Sequence, residues 1–84
     1  MNLNVVWKNR SFKIRISKEK TLLDLKQAIA NEIGENTSYT SFNVINGDKR
    51  IITNASNSKT LKELNIVRLI RLPIDYNPGK QDLL

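Results

Sequence analysis

The spacing of apolar residues near the start of the chain is the feature that most limits what it can fold into. Between residues 2 and 16, apolar side chains recur at every second position around a polar break at 8–11. A period of two places alternate side chains on opposite faces of a strand, so this segment predicts a β-hairpin with one buried face. We expect Asn9 to take the positive φ angle in its short turn, because asparagine tolerates the left-handed region. The residues predicted to face inward are Leu3, Val5, Trp7, Phe12, Ile14 and Ile16.

The apolar period changes after residue 21. Steps of three and four residues predict an amphipathic helix over 22–33. Thr21 is followed three residues later by Asp24, which approximates a capping box, and Gly34 supplies the left-handed residue that often follows a last helical turn. The apolar stripe of this helix comprises Leu22, Leu25, Ala28, Ile29 and Ile33.

Shorter elements follow in the second half of the chain. Residues 42–45 and 48–53 flank Asn-Gly at 46–47, a dipeptide typical of a two-residue turn, and together they predict a second hairpin. Thr60 and Glu63 repeat the capping-box spacing over two leucines. In so short a connection this spacing predicts a single helical turn.

The end of the chain changes in composition. Residues 67–72 predict a last strand, which Pro73 ends because proline cannot donate to a strand ladder. Beyond it the residues become polar, with Asn-Pro-Gly at 77–79. We therefore expect one domain over residues 1–73 and a flexible tail, or the start of a linker, over 74–84.

Length and composition bound the chemistry. A chain of 84 residues with 39% hydrophobic residues can build one modest core. It contains no cysteine and no histidine, which excludes thiol nucleophiles, serine–histidine pairs and thiolate or imidazole zinc sites. Asp24, Glu32 and Glu35 look like helix-cap and helix-surface charges, because acid–base catalysis needs two groups that face a cleft. We expect no enzyme activity, no metal and no cofactor.

The same sequence carries few signals of location. No stretch reaches the roughly 18 apolar residues of a membrane span, and the first residues lack the apolar region of a signal peptide. We therefore expect an intracellular protein, cytoplasmic or nuclear, that is a monomer without a membrane span. Its formal charge of +6 is typical of a protein that binds an acidic partner or nucleic acid.

The predicted order of elements resembles the ubiquitin-like β-grasp fold, and the resemblance extends over residues 1–72. It implies an α+β domain in which a mixed sheet of about five strands packs on one helix, in ββαββ order with a short helical turn before the last strand. The stretches that resemble ubiquitin-family sequences are Thr60 to Ile66 before the last strand, Thr21 to Ile29 with Gly34 closing the helix, and Asn46-Gly47 followed by Lys49.

This resemblance also carries an expectation of function. Conjugated family members, and sulfur carriers on the same fold, end in diglycine, whereas this chain ends Gln81-Asp82-Leu83-Leu84, so the resemblance does not extend to conjugation. It implies a noncovalent protein-interaction module, an N-terminal domain that docks its parent protein on a ubiquitin, proteasome or Cdc48-type assembly. A shorter gap after Ile66 than in ubiquitin bears on the register of the last strand.

Family members bind partners through the exposed face of the sheet, on an apolar patch with a basic border. If Val67 and Leu69 point to the core, strand alternation turns Arg68 and Ile70 outward. The alternative places Val44 in the core with Phe42, and a shift of one residue exchanges the two arrangements. The residues predicted to bind a protein are Lys8, Asn43, Val44, Lys49, Arg68 and Ile70.

Two other functions stay open. One is a standalone ubiquitin-like regulatory component of a bacterial type VII secretion system, since such proteins also lack diglycine. The other is a basic nucleic-acid-binding domain, in which Lys13 and Arg15 form a basic sheet face with Lys8 and Arg68. Nucleic acid is the less favoured partner, because no outward aromatic series for base stacking accompanies these cations.

Overall fold

A computed structural model describes residues 1–34, 42–47 and 49–73 of the chain. The predicted tail over 74–84 lies outside the described residues, as does Glu35. The strands are β1 Asn2–Trp7, β2 Arg10–Arg15, β3 Val44–Asn46, β4 Ile51–Ile52 and β5 Leu69–Arg71. The helices are α1 Leu22–Ile33 and a short 3₁₀ helix Asn54–Ser56.

All five strands form one mixed sheet in the order β2-β1-β5-β3-β4. The central pair β1 and β5 is parallel, whereas the other three pairs are antiparallel. Apolar residues of α1 and of the inner sheet face share one buried cluster. The predicted α+β fold with one helix and a five-stranded mixed sheet is confirmed, and it is compatible with a β-grasp arrangement.

The first hairpin forms as predicted except at its turn. Trp7 pairs with Arg10 across the two strands, which leaves Lys8 and Asn9 as the connection. Lys8 has the positive φ angle of 56°, and Asn9 does not. The prediction for Asn9 was wrong because strand register decides which loop position must be left-handed, whatever side chain stands there.

Helix α1 has the predicted bounds and the predicted ends. The Thr21 hydroxyl accepts a hydrogen bond from the Asp24 backbone N–H at 3.2 Å, and the Asp24 carboxylate accepts one from the Thr21 N–H at 3.1 Å. This reciprocal capping box satisfies two donors at the helix start. At the other end Gly34 has a φ of 89° and donates to the Ala30 carbonyl, as a left-handed C-cap does.

The second capping box, at Thr60 and Glu63, forms with the same geometry but is followed by one turn alone. The Thr60 N–H donates to Glu63 at 2.9 Å, and the Glu63 N–H donates to the Thr60 hydroxyl at 3.1 Å. The turn ends at Asn65, whose φ is 53°. The 3₁₀ helix lies earlier, over Asn54–Ser56, and the sequence patterns did not predict it.

The connection between β3 and β4 differs from the predicted two-residue turn. Asn46 belongs to β3, and the left-handed residue is Lys49, with a φ of 69°. The side chain of Asn46 is 1% exposed. Its amide nitrogen donates to the Asn65 carbonyl at 3.1 Å, and its amide oxygen accepts from the Val67 N–H at 3.0 Å. Asn46 therefore satisfies the backbone that leads into β5, since buried polar groups need partners.

Candidate protein-binding face

Strand register separates the side chains of the sheet into two sets. Those that alternate with the buried positions point away from α1 and form what we call the outer face. Its members are Asn2, Asn4 and Val6 of β1, Ser11, Lys13 and Arg15 of β2, Ile45 of β3, Ile51 of β4, and Leu69 and Arg71 of β5.

Part of the outer face is apolar. Ile45 pairs with Ile51 on one side and with Arg71 on the other, while Arg71 also pairs with Val6. Leu69 lies two residues before Arg71, and its side chain is therefore on the same side of β5. Ile51 is 61% exposed. We call Val6, Ile45, Ile51 and Leu69 the apolar row. Arg71 lies in register between Val6 and Ile45, and Leu69 is paired with Asn4.

Two of the predicted binding residues do not lie on this face. Val44 and Ile70 are both 0% exposed and belong to the buried cluster, so the prediction that Ile70 points outward was wrong. Ile70 pairs with the inward-facing Val5 and Asn46, which places it inside. The outward residues are their neighbours Ile45 and Leu69, because a shift of one residue reverses every facing.

The other four predicted binding residues remain at the surface. Asn43 is half-buried just before β3, and Arg68 and Lys49 are exposed. Lys8 is exposed at the hairpin turn, with its ammonium 5.1 Å from the centre of the Trp7 ring. That turn is at the far end of β1 from Asn2, so Lys8 lies near Arg10, which contacts the same ring at 5.5 Å, and apart from Lys13 and Arg15.

The cations predicted on β2 lie on the outer face. Lys13 pairs with Asn4 and Arg15 with Asn2, and both cations are exposed. Residues Met1, Asn2, Asn4, Lys13 and Arg68 line an open cleft of about 430 Å³. None of the outer-face residues that the structure describes is acidic. The face therefore combines an apolar row with uncompensated positive charge.

The carboxylates of the two capping boxes are hydrogen-bonded to the residues that they cap. The hydrogen bonds that Thr21 donates lower the pKa of Asp24, and those from Thr60 lower the pKa of Glu63 in the same way. Glu32 is exposed on α1. Asp24 therefore acts as a helix cap, as predicted, and its carboxylate is hydrogen-bonded to the backbone N–H of Thr21.

Lys26 on α1 is fully buried, which sequence reasoning missed. Its ammonium donates to the side-chain oxygens of Asn54 at 2.6 Å and Asn57 at 2.7 Å, and it lies 5.6 Å from the centre of the Phe42 ring. Burial lowers the pKa of Lys26 to about 8, because desolvation disfavours the charged form. Both hydrogen-bond acceptors are neutral side-chain amides.

In the described part of the chain, no helix is both long enough and apolar enough to cross a membrane. Within the same residues, no three or more side chains of the metal-ligating types Asp, Glu, His and Cys come together.

Comparison with protein-family models, with curated proteins and with solved structures found no match to this chain. The ubiquitin-like resemblance thus depends on the order of elements and the local stretches described above. The outer face is the strongest candidate for a functional site, because it is where exposed apolar area and unopposed charge coincide.

Sequence reasoning identified the strands that carry the face. In two pairs of adjacent residues, Val44 with Ile45 and Leu69 with Ile70, it selected the buried member. The sequence Phe42-Asn43-Val44-Ile45 contains three apolar residues, and two of them are adjacent. Alternation counted forward from the buried Phe42 places Val44 inward and Ile45 outward. The burial of Phe42 was therefore the signal that could have selected Ile45.

Proposed function

We propose that this chain is a noncovalent protein-interaction module of the ubiquitin-like type, which docks a partner on the outer face of its sheet. The observation that carries the proposal is the apolar row, in which Ile45 and Ile51 lie side by side, Val6 is in register with them across Arg71, and Leu69 lies on the same face two residues before Arg71. Exposed apolar groups that lie side by side are more typical of interaction surfaces than apolar residues scattered singly.

The charge of the face narrows the chemistry of the partner. Arg71 lies inside the apolar row, Lys13 and Arg15 lie beside it on β2, and Arg68 is exposed just before β5. A complementary partner presents apolar side chains flanked by aspartate or glutamate, since opposite potentials steer association and fix its register. Ubiquitin-receptor, proteasomal and Cdc48-type proteins are the partners that the resemblance implies, in an intracellular setting.

Nucleic acid fits the face less well. Single strands are bound by stacking bases on aromatic rings as well as by phosphate contacts. Among the described residues, Trp7 and Phe42 are buried in the core and Phe12 packs against it. The outer face has no described aromatic residue, so it offers charge to a phosphate backbone but no stacking platform.

The proposal is tested by comparing variants of the outer face with matched variants elsewhere. Immobilised wild type and Ile45→Asp are used to capture proteins from cell lysate, with Leu23→Asp as a control, because Leu23 is an exposed apolar residue of α1. Each captured candidate is then purified, and its affinity for the three proteins is measured by calorimetry. All three are checked for folding by circular dichroism.

We expect the affinity of a genuine partner to fall at least about tenfold in Ile45→Asp, which corresponds to about 1.4 kcal/mol. Leu23→Asp should bind like the wild type. Equal binding by the two variants would overturn the docking face. Binding that disappears after nuclease treatment, and that returns with a generic DNA oligonucleotide in a salt-dependent way, would favour the nucleic-acid function. Capture only of secretion-system components would favour the type VII alternative.

A further inference from the structure

The cleft lined by Met1, Asn2, Asn4, Lys13 and Arg68 brings together two basic side chains and two side-chain amides at one end of the outer face. In the strand register Asn4 lies directly opposite Lys13, at the spacing where cross-strand side chains meet, roughly 4.5–5.5 Å between Cβ atoms. Arg68, just before β5, lines the same cleft, and its carbonyl accepts a hydrogen bond from the Asn4 N–H at 2.7 Å.

These four side chains have no hydrogen bond or ion pair within the described part of the chain. This contrasts with the buried amide of Asn46, which makes two hydrogen bonds to backbone. The lining also includes no carboxylate. Two unpaired cations in a concave site concentrate positive potential, which attracts an anionic group.

We propose that this cleft binds the carboxylate groups of an acidic peptide segment, the charged part of the partner that the apolar row would dock. Arg68 and Lys13 supply charge-assisted hydrogen bonds to carboxylate oxygens. The amides of Asn2 and Asn4 both donate and accept, so they match the backbone of a bound segment. The open cleft has a volume of about 430 Å³, which is large enough to admit a short peptide segment.

This inference rests on the proposed function, because the cleft lies on the same sheet face as Leu69 and Arg71. The test separates the two by probing the cleft alone. Isotope-labelled protein is titrated with the capped peptide acetyl-Glu-Glu-Glu-amide at constant ionic strength, and the backbone and asparagine side-chain amide signals are followed by NMR. Acetyl-Gln-Gln-Gln-amide and inorganic phosphate are titrated in parallel.

The variant that removes the site is the double substitution Lys13→Gln, Arg68→Gln. Its matched control is Lys59→Gln, Lys62→Gln, which removes the same charge from two exposed lysines outside the cleft lining. Both changes conserve hydrogen-bonding side chains of similar length, so neither creates a buried vacancy. Folding is checked from the dispersion of the same spectra.

We expect saturable shifts of the Asn2 and Asn4 side-chain amides with the glutamate peptide, an affinity at least tenfold weaker in the cleft variant, and unchanged binding in the control. Equal weakening in both double variants, or shifts spread over all basic surfaces, would overturn the cleft as a site. Saturation by phosphate but not by the glutamate peptide would overturn the carboxylate assignment. If partner capture still depends on Ile45 when the peptide fails to bind, this inference fails and the docking function stands.

Discussion

Two pairs of adjacent residues, Val44 with Ile45 and Leu69 with Ile70, show that similar side chains differ in burial between the two faces of one sheet. All four are aliphatic, yet Val44 and Ile70 are 0% exposed, whereas Ile45 and Leu69 are only half-buried on the outer face. The inner members are held by neighbours from α1 and β1 in a close-packed cluster. In a strand, the side of the sheet decides whether such a residue contributes to stability or is available for binding.

The largest expected effect comes from truncating the two members of the β5 pair separately. We expect Ile70→Ala to lower the free energy of unfolding by about 2–5 kcal/mol, because it leaves a cavity in the core. Leu69→Ala should cost about 1 kcal/mol or less, since its side chain keeps contact with water. Urea denaturation followed by circular dichroism measures both, and similar losses in the two variants would contradict the assigned facing.

A smaller effect is expected from the buried polar residue of the inner face. Asn46→Leu removes the partners of the Asn65 carbonyl and the Val67 N–H, and an unsatisfied buried group costs about 1–3 kcal/mol. Asn43→Leu is the matched control on the other side of β3, where we expect a change of about 0.5 kcal/mol or less. Hydrogen exchange should also show faster exchange of the Val67 amide in Asn46→Leu, and an unchanged rate would argue against the bridge.

The most specific prediction concerns Lys26, because it appears only as a change of stability with pH. Its pKa is lowered from 10.5 to about 8 in the folded protein, so between these values the unfolded chain binds more protons than the native state. Stability then rises with pH across that window, and the full cost of the buried charge is present below about pH 8.

This pH dependence is isolated by comparing wild type with Lys26→Met, because other titrating groups cancel in the difference. We expect the wild type to gain stability relative to Lys26→Met as pH rises from 8 to 10.5, measured by urea denaturation at each pH. A matched Lys62→Met variant, at an exposed lysine, should show no such trend. A constant difference between wild type and Lys26→Met would mean that the ammonium is not desolvated.

Much of the fold was predictable from local patterns. The hairpin of β1 and β2 follows from a two-residue period, and α1 follows from a change of period between a threonine cap and Gly34. Both signals depend on residues close together in the sequence. The turn residues were predicted less well: Lys8 and Lys49 take the left-handed conformations that asparagine and glycine were expected to take.

The candidate site was predictable only in part. Lys13 and Arg15 were placed correctly, because they alternate with well-marked buried residues of a six-residue strand. β3 and β5 are each three residues long, and each contains two adjacent apolar residues. Alternation alone therefore did not show which of the two, for example Val44 or Ile45, faces the core. Lys26 stands four residues after Leu22 and three before Ile29, on the buried side of α1, and that spacing was the available signal for its burial.

Period, caps and composition act over a few residues, so the sequence was enough to predict the first hairpin, α1 and the net charge. The facing of the short strands, the role of Asn46 and the burial of Lys26 followed only from packing. Each of these depends on a partner distant in the chain: β1 for Ile70, Asn65 and Val67 for Asn46, and Asn54 and Asn57 for Lys26. Such contacts form only when the chain packs, since burial and hydrogen-bond satisfaction are properties of the assembled core.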